Sequence, residues 1–144
     1  MKITDWSEMP SYVIKEMEKI ESKILPYTQK AAKYSFWSLP LILLSIFNLF
    51  FLLFILPDRN LPVLIVYGLI GAIGLAFSKE AKFYQREVLK RSIHCMIERI
   101  KDSDIVPNVT KEDYIRRIQQ QSISSYYYFI EFLKEEHRMK YTYY

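Results

Sequence analysis

The chain has 144 residues, one domain's worth, with 20 Lys/Arg against 16 Asp/Glu and a net charge of +4. A charge so small and so mixed gives no electrostatic case for nucleic acid, so none is expected as a partner. The single cysteine, Cys95, excludes an intramolecular disulfide and suits a reducing compartment.

The average composition hides a segregation. Between Tyr34 and Ser78 the only charged residues are Asp58 and Arg59; every other charge lies in the two flanks. The first flank, residues 1–33, places Trp6, Pro10, Val13, Met17, Ile20, Ile24, Tyr27, Ala31 and Tyr34 at alternating steps of four and three, a heptad seam. This predicts an amphipathic helix capped by Asp5 or Ser7, with Lys15, Glu16, Lys19, Glu21 and Lys23 on its wet face. Pro26 lies inside the pattern and is expected to kink or break the helix near Leu25. The charged start, and the absence of a small-residue cleavage site after the apolar run, argue against a cleaved signal peptide.

The run SFWSLPLILLSIFNLFFLLFIL, residues 35–56, contains 16 Leu, Ile or Phe among 22 residues. At insertion values for the helix centre these favour a membrane by about 5 to 10 kcal/mol, an upper bound from which Pro40, Asn48 and three serines subtract. Its length as a helix, about 33 Å, matches a hydrocarbon core of about 30 Å. The six-residue linker Pro57–Pro62 combines a helix stop, the turn formers Asp58-Arg59-Asn60 and a proline suited to the first turn of a new helix. The second run, residues 61–78, is shorter and suffices if Lys79 and Lys82 snorkel to the headgroups. The pattern predicts a membrane hairpin rather than a buried soluble pair, because too little polar sequence remains to wrap two such helices. Six Lys/Arg precede the hairpin, thirteen follow it and one lies in the linker. The positive-inside rule then places both termini in the cytoplasm. Trp37, with Phe36 and Tyr34, suits the inner aromatic belt. The sequon at Asn108 falls on the cytoplasmic side and is read as chance.

Two features inside the runs bear on packing. Asn48 is a lone amide expected to seek a cross-helix hydrogen bond. Gly68, Ala72 and Ala76 repeat every four residues, flanked by Gly71 and Gly74. This ridge predicts either close packing against the first span or a homo-oligomer interface.

Residues 79–144 form the second cytoplasmic region. No Gly or Pro interrupts Lys79 to Asp102, and the stripe Leu89, Ile93, Met96, Ile100 continues, so one rod to about residue 102 is expected. A turn at Pro107 precedes a helix over 111–139, capped by Thr110, with Ile115, Ile118, Ile123, Tyr126, Phe129, Ile130 and Leu133 inside. Folded back along the rod, that helix would return Tyr141, Tyr143 and Tyr144 to the headgroup layer as anchors; a frayed tail is the alternative. The fold class expected is all-α: a two-helix transmembrane hairpin with a cytoplasmic bundle of long amphipathic helices. Mixed Glu and Lys on the wet faces favour the bundle over helices lying on the bilayer.

Chemistry is sparse. His94 and Glu98 share a helix face but supply only two ligands, and adjacent His94 and Cys95 point apart. Glu131 and Glu135 lack the accompanying histidines of a di-iron site. Glu135-Glu136-His137 reads as a solvated helix end. No phosphate loop or nucleophile motif is present. No catalytic residue, metal or cofactor is therefore expected.

With LPY upstream at Leu25–Tyr27, the run SFWSLPLILLSIFNLFFLL and the turn PDRNLP downstream, the chain resembles the YwnF-like family. Its members are small two-span membrane proteins of unknown function from Bacillus-type bacteria. The resemblance spans nearly the whole chain by layout and implies no activity and no functional residues. Two functional readings lead: a non-enzymatic membrane protein acting through its cytoplasmic helices on a protein partner not yet known, as scaffold or regulator, or an oligomeric pore-forming or effector protein. The second needs a polar path, for which only Ser38, Ser45, Asn48 and Tyr67 are available. An enzyme is the third and weakest reading.

Overall fold

The structure is a computed structural model and describes residues 9–55 and 60–142. Among these residues there is no strand. The elements are α1 (Ser11–Phe54), α2 (Leu61–Lys101), α3 (Asn108–Gln120), a single 3-10 turn (Ser122–Ser124) and α4 (Ser125–Thr142). The linker residues Asp58 and Arg59 and the caps Asp5 and Ser7 lie outside the described residues.

α1 runs without a break through both Pro26 and Pro40, so the expected interruption at Leu25 is absent. The reason is local. Pro26 withholds one N–H from the carbonyl of Ser22, and both residues are exposed, where water can serve the freed oxygen. α1 starts on Pro10, whose carbonyl accepts from the amides of Val13 and Ile14. α2 starts with Pro62 in its first turn, where no amide is required, and continues as one helix to Lys101.

The chain divides into two compact units, Met1–Leu25 with Leu89–Tyr144, and Pro26–Val88. The first is a bundle of four helical segments. Val13, Met17 and Ile20 of α1, Met96 and Ile100 of α2, Ile118 of α3 and Phe129, Phe132 and Leu133 of α4 form one buried core. The stripes foreseen in the flanks supply most of these residues.

The last helix departs from expectation. It is two helices, broken at Gln121, which sits at φ −125°, ψ 75°. In QSISS a side chain competes for the backbone, Ser125 Oγ donating to Ser122 O (2.8 Å), while Tyr128 OH donates to the Gln121 side chain at Oε1 (3.1 Å). The break folds α3 back along α4, so Ile118 and Phe129 both reach the core and Tyr114 meets Phe132 edge-on at 5.6 Å. Ile123 is thereby expelled, at 97% exposure, not buried as the periodicity suggested. Nor does Thr110 cap α3. The helix begins at Asn108 behind Pro107, whose carbonyl accepts from the amides of Thr110 and Lys111.

Contacts within the bundle fix its direction. Lys111 Nζ donates to Lys101 O at the end of α2 (3.2 Å), which puts the start of α3 there. Glu136 of α4 meets Arg99 of α2, and His137 stacks on Tyr12 at the start of α1, so the late part of α4 is there too. α3 is about 20 Å long, and about 17 Å of α4 precede Glu136. Both pack along the core, so the α3–α4 turn reaches the other end of the bundle, where α1 leaves at Leu25 and α2 enters at Leu89. Tyr141, whose ring lies 4.6 Å from His137, is at the Tyr12 end. A single returning helix was the premise for carrying the tail to the headgroups, and that helix does not exist. Tyr143 and Tyr144 lie outside the described residues.

The second unit is an antiparallel helix pair. Within it Ala31, Ser38, Ser45 and Leu52 of α1 are buried at intervals of seven, a heptad seam. Gly74 and Ala81 of α2, also seven apart, are buried in the same unit. Away from this seam the helices expose their apolar side chains. Only 17% and 6% of the most apolar 18-residue windows of α1 and α2 are buried, and both helices are long and apolar enough to cross a membrane.

Candidate functional site

Within the bundle, the concentration of charge is centred on Arg99. It follows the buried stripe of Met96 and precedes Ile100, so its aliphatic stem lies against the core while its guanidinium reaches the edge. Arg99 Nε donates to Glu16 Oε2 of α1 (3.0 Å), and its two terminal nitrogens donate to Glu136 Oε1 and Oε2 of α4 (3.2 and 2.8 Å). The second contact is the bidentate fork for which arginine is suited. Ser103 Oγ donates to Glu136 Oε1 as well. One cation thus joins three helical segments. Burial pushes the Glu16 carboxyl up, but the hydrogen bond from Lys19 and the charge of Arg99 outweigh it, and the group titrates below its ordinary range. Arg99 is likewise destabilised as a cation by burial, yet Glu136 and Glu16 hold it more firmly protonated than usual.

Beside this clasp Tyr12 and His137 stack at 4.0 Å and 8°, and Tyr141 leans on the other side of the imidazole. Tyr12, Glu16, Arg99, Glu136, His137 and Lys140 line a shallow cavity of about 200 Å³. Arg99, Glu16 and Glu136 of this lining are engaged with one another, and the arrangement joins helices.

Glu136 was assigned above to a solvated helix end, and that is corrected here: it is 9% exposed and accepts three hydrogen bonds. The signal was available, since Phe129, Phe132, Leu133 and Glu136 share one helix face. His94 and Glu98 form an exposed pair at 3.1 Å, and no group of three metal-binding side chains is found among the described residues.

In the helix pair the small residues do what the ridge was expected to do, but they are different small residues. Gly68, Ala72 and Ala76 face outward, and a Cβ at Gly68 would meet nothing within 4 Å. A Cβ on Gly71 would lie 2.5 Å from Ser45 Oγ, and one on Gly74 2.9 Å from Ile42 Cγ1 and 3.1 Å from the Ile42 amide nitrogen. These two glycines therefore set the close approach. The offset follows from register: Gly74 and Ala81 keep step with the heptad seam of α1, and a repeat of four drifts off it. The cross-helix hydrogen bond belongs to Ser45, whose Oγ donates to Tyr67 O (2.7 Å). Asn48 is satisfied within its own helix, donating to Leu44 O (2.8 Å). Ser38 likewise donates to Ser35 O. At the end of this unit, Tyr34 stacks on Tyr84 (5.6 Å) and meets Phe77 edge-on, with Lys30 Nζ 5.7 Å over the Tyr84 ring. Trp37, Lys79 and Lys82 are exposed.

Comparison with known proteins places this arrangement in context. The family described as "Family of unknown function (DUF5392)" matches residues 5–141. The chain is 37% identical over 139 residues to "Uncharacterized protein YwnF" of Bacillus subtilis (strain 168), covering 94% of this chain and 95% of that relative. No solved structure matches.

Proposed function

Since the chain belongs to DUF5392, a family of unknown function, its role must come from its own physics, and we propose a non-enzymatic integral membrane protein that crosses the bilayer twice, keeps both termini cytoplasmic and acts through its helical bundle as a scaffold or regulator. One observation carries this reading. Two adjacent helices turn Leu39, Leu43, Phe47, Phe54, Ile65 and Leu69 outward, each at least 60% exposed, while Ser38, Ser45 and Gly74 turn inward. In water such a surface would aggregate; in hydrocarbon it is the favoured one. The charge asymmetry of the flanks supplies the orientation.

The pore reading is weaker. Three of the four polar side chains it would need are used within one chain: Ser45 on Tyr67 O, Asn48 on Leu44 O and Ser38 on Ser35 O. No charged side chain lies within either apolar run to line a path. Homo-oligomerisation through the outward ridge of Gly68, Ala72 and Ala76 is compatible with the scaffold reading.

The test is accessibility on intact cells. In a Cys95→Ser background, Asn60→Cys should react with an impermeant thiol reagent and Lys111→Cys should not, until the cells are permeabilised. Reversed labelling would overturn the orientation, and recovery of the protein in the soluble fraction would overturn the membrane reading. Crosslinking from native membranes would then identify the partner of the bundle.

A further inference from the structure

Just past its apolar run, α2 carries a positive face. Lys79, Lys82 and Arg86 follow one another at steps of three and four, within about 60° of one another round the helix. All three are exposed, and they stand about 100° to 160° from Ala81, which is buried in the helix pair. The acids of this stretch, Glu80 and Glu87, are turned about 80° or more away from each cation. Among the described residues none of these three cations is in an ion pair, whereas Arg99, Arg116, Arg117 and Arg138 of the bundle all are. Lys30 of α1, by contrast, lies over the Tyr84 ring at 5.7 Å. The three are an uncompensated positive face.

Their surroundings say what covers them. Phe83 shares the face, four residues after Lys79, and is 56% exposed. Leu75, one turn before Lys79 on the same side, is 58% exposed. An apolar wall thus passes directly into three cations around an aromatic ring, on one unbroken helix and within one compact unit. Lipid phosphate suits these cations, Arg86 by its planar fork and the lysines as point charges, with their stems left on apolar surface. The face also discriminates by net charge. Phosphatidylcholine brings a quaternary ammonium with its phosphate, and no acid on this face receives it; an anionic headgroup brings none. We propose that this face of α2 is a binding site for an anionic phospholipid, its headgroup held by Lys79, Lys82 and Arg86 and its acyl chains lying along Leu75. The proposal rests on the reading that α1 and α2 span a bilayer, and it gives that reading a lipid partner.

The two are separated by a quenching experiment. The full chain with Trp6→Phe, Trp37→Phe and Leu75→Trp carries one reporter a turn from Lys79; a second chain carries Leu43→Trp on α1 in its place. Each is reconstituted in vesicles in which either the phosphatidylcholine or the phosphatidylglycerol is brominated in its acyl chains, so that only lipid in contact with the reporter quenches it. At Leu75, phosphatidylglycerol should be preferred over phosphatidylcholine by about fivefold or more, the effect of one engaged cation. At Leu43 the two should quench about equally. Replacing Lys79, Lys82 and Arg86 together by Gln should bring the ratio at Leu75 to about one while phosphatidylcholine still quenches. Lys30→Gln with Lys33→Gln on α1 should leave the preference in place. Equal quenching by the two lipids at Leu75 would overturn the site and leave the spans standing. So would a preference that survives the triple change, or one that falls as far with the α1 pair. A reporter at Leu75 that neither lipid quenches, with that at Leu43 quenched, would put protein on the face and also overturn the site. Absence of quenching at both positions would overturn the spans as well.

Discussion

Arg99 is held by carboxylates from two other helical segments, and its loss would leave Glu136 with Ser103 as its remaining partner at a site only 9% exposed. Breaking a fully buried pair costs about 3 to 5 kcal/mol; with the Arg99 side chain 31% exposed, about 2 kcal/mol is expected for Arg99→Met. Thermal or urea denaturation in detergent, followed by circular dichroism, measures it. The double variant Arg99→Met, Glu136→Leu should recover a large part of the loss, because the uncompensated charge is then gone. The same residues impose a pH dependence. Glu16 titrates lower in the folded bundle than its ordinary 4.5, so its stabilisation is complete above that value and disappears as pH falls through the lower folded value. The bundle should therefore lose stability in acid, and Glu16→Gln should flatten that part of the profile while lowering stability at neutral pH.

At the scale of the element, the helix pair is positioned by two glycines and a serine. Gly74→Leu drives a side chain against the Ile42 backbone, which cannot give way as a flexible side-chain end could. Overpacking of this kind costs about 1 to 3 kcal/mol. Gly68→Leu, at a position with no neighbour within 4 Å, should leave the stability of the single chain unchanged or improved by helix propensity. Should Gly68→Leu lower oligomer size in detergent at unchanged thermal stability, the outward ridge is an interface between copies. Ser45→Ala removes the one hydrogen bond that passes from the Ser45 side chain to the Tyr67 carbonyl, and about 1 kcal/mol is expected to be lost.

For the molecule as a whole, the outward apolar faces and the inward polar groups lead to the same expectation. Purified protein reconstituted into dye-loaded liposomes should leave them impermeant, since Ser38, Ser45 and Asn48 all satisfy backbone carbonyls within their own chain. Dye release or single-channel steps proportional to protein concentration would restore the pore reading. The bundle, by contrast, should crosslink to another protein in native membranes, and variants of its clasp should weaken that capture only as far as they unfold it.

Hydrophobicity and period are local properties, and what depends on them alone was legible in the residues. The two apolar runs, the helix that continues past Ser78, and the stripes of Val13, Met17, Met96 and Phe129 follow from side-chain chemistry at fixed spacing. So was the family, through the resemblance that the layout carried. What the sequence could not settle depended on which surfaces meet. Two small-residue rows lie on α2, and only the approach of α1 selects Gly71 and Gly74 over Gly68 and Ala72. The face that Glu136 shares with Phe129, Phe132 and Leu133 was legible, but its partner was not: only the fold brings Arg99, 37 residues away, to lie beside it. Ile123 keeps helical step with its neighbours, yet α3 gains more by folding back onto α4 than by continuing, and the residue at the fold is left outside. Long-range packing made each of these choices, because the free energy of a shared core exceeds the small local preferences that a sequence displays.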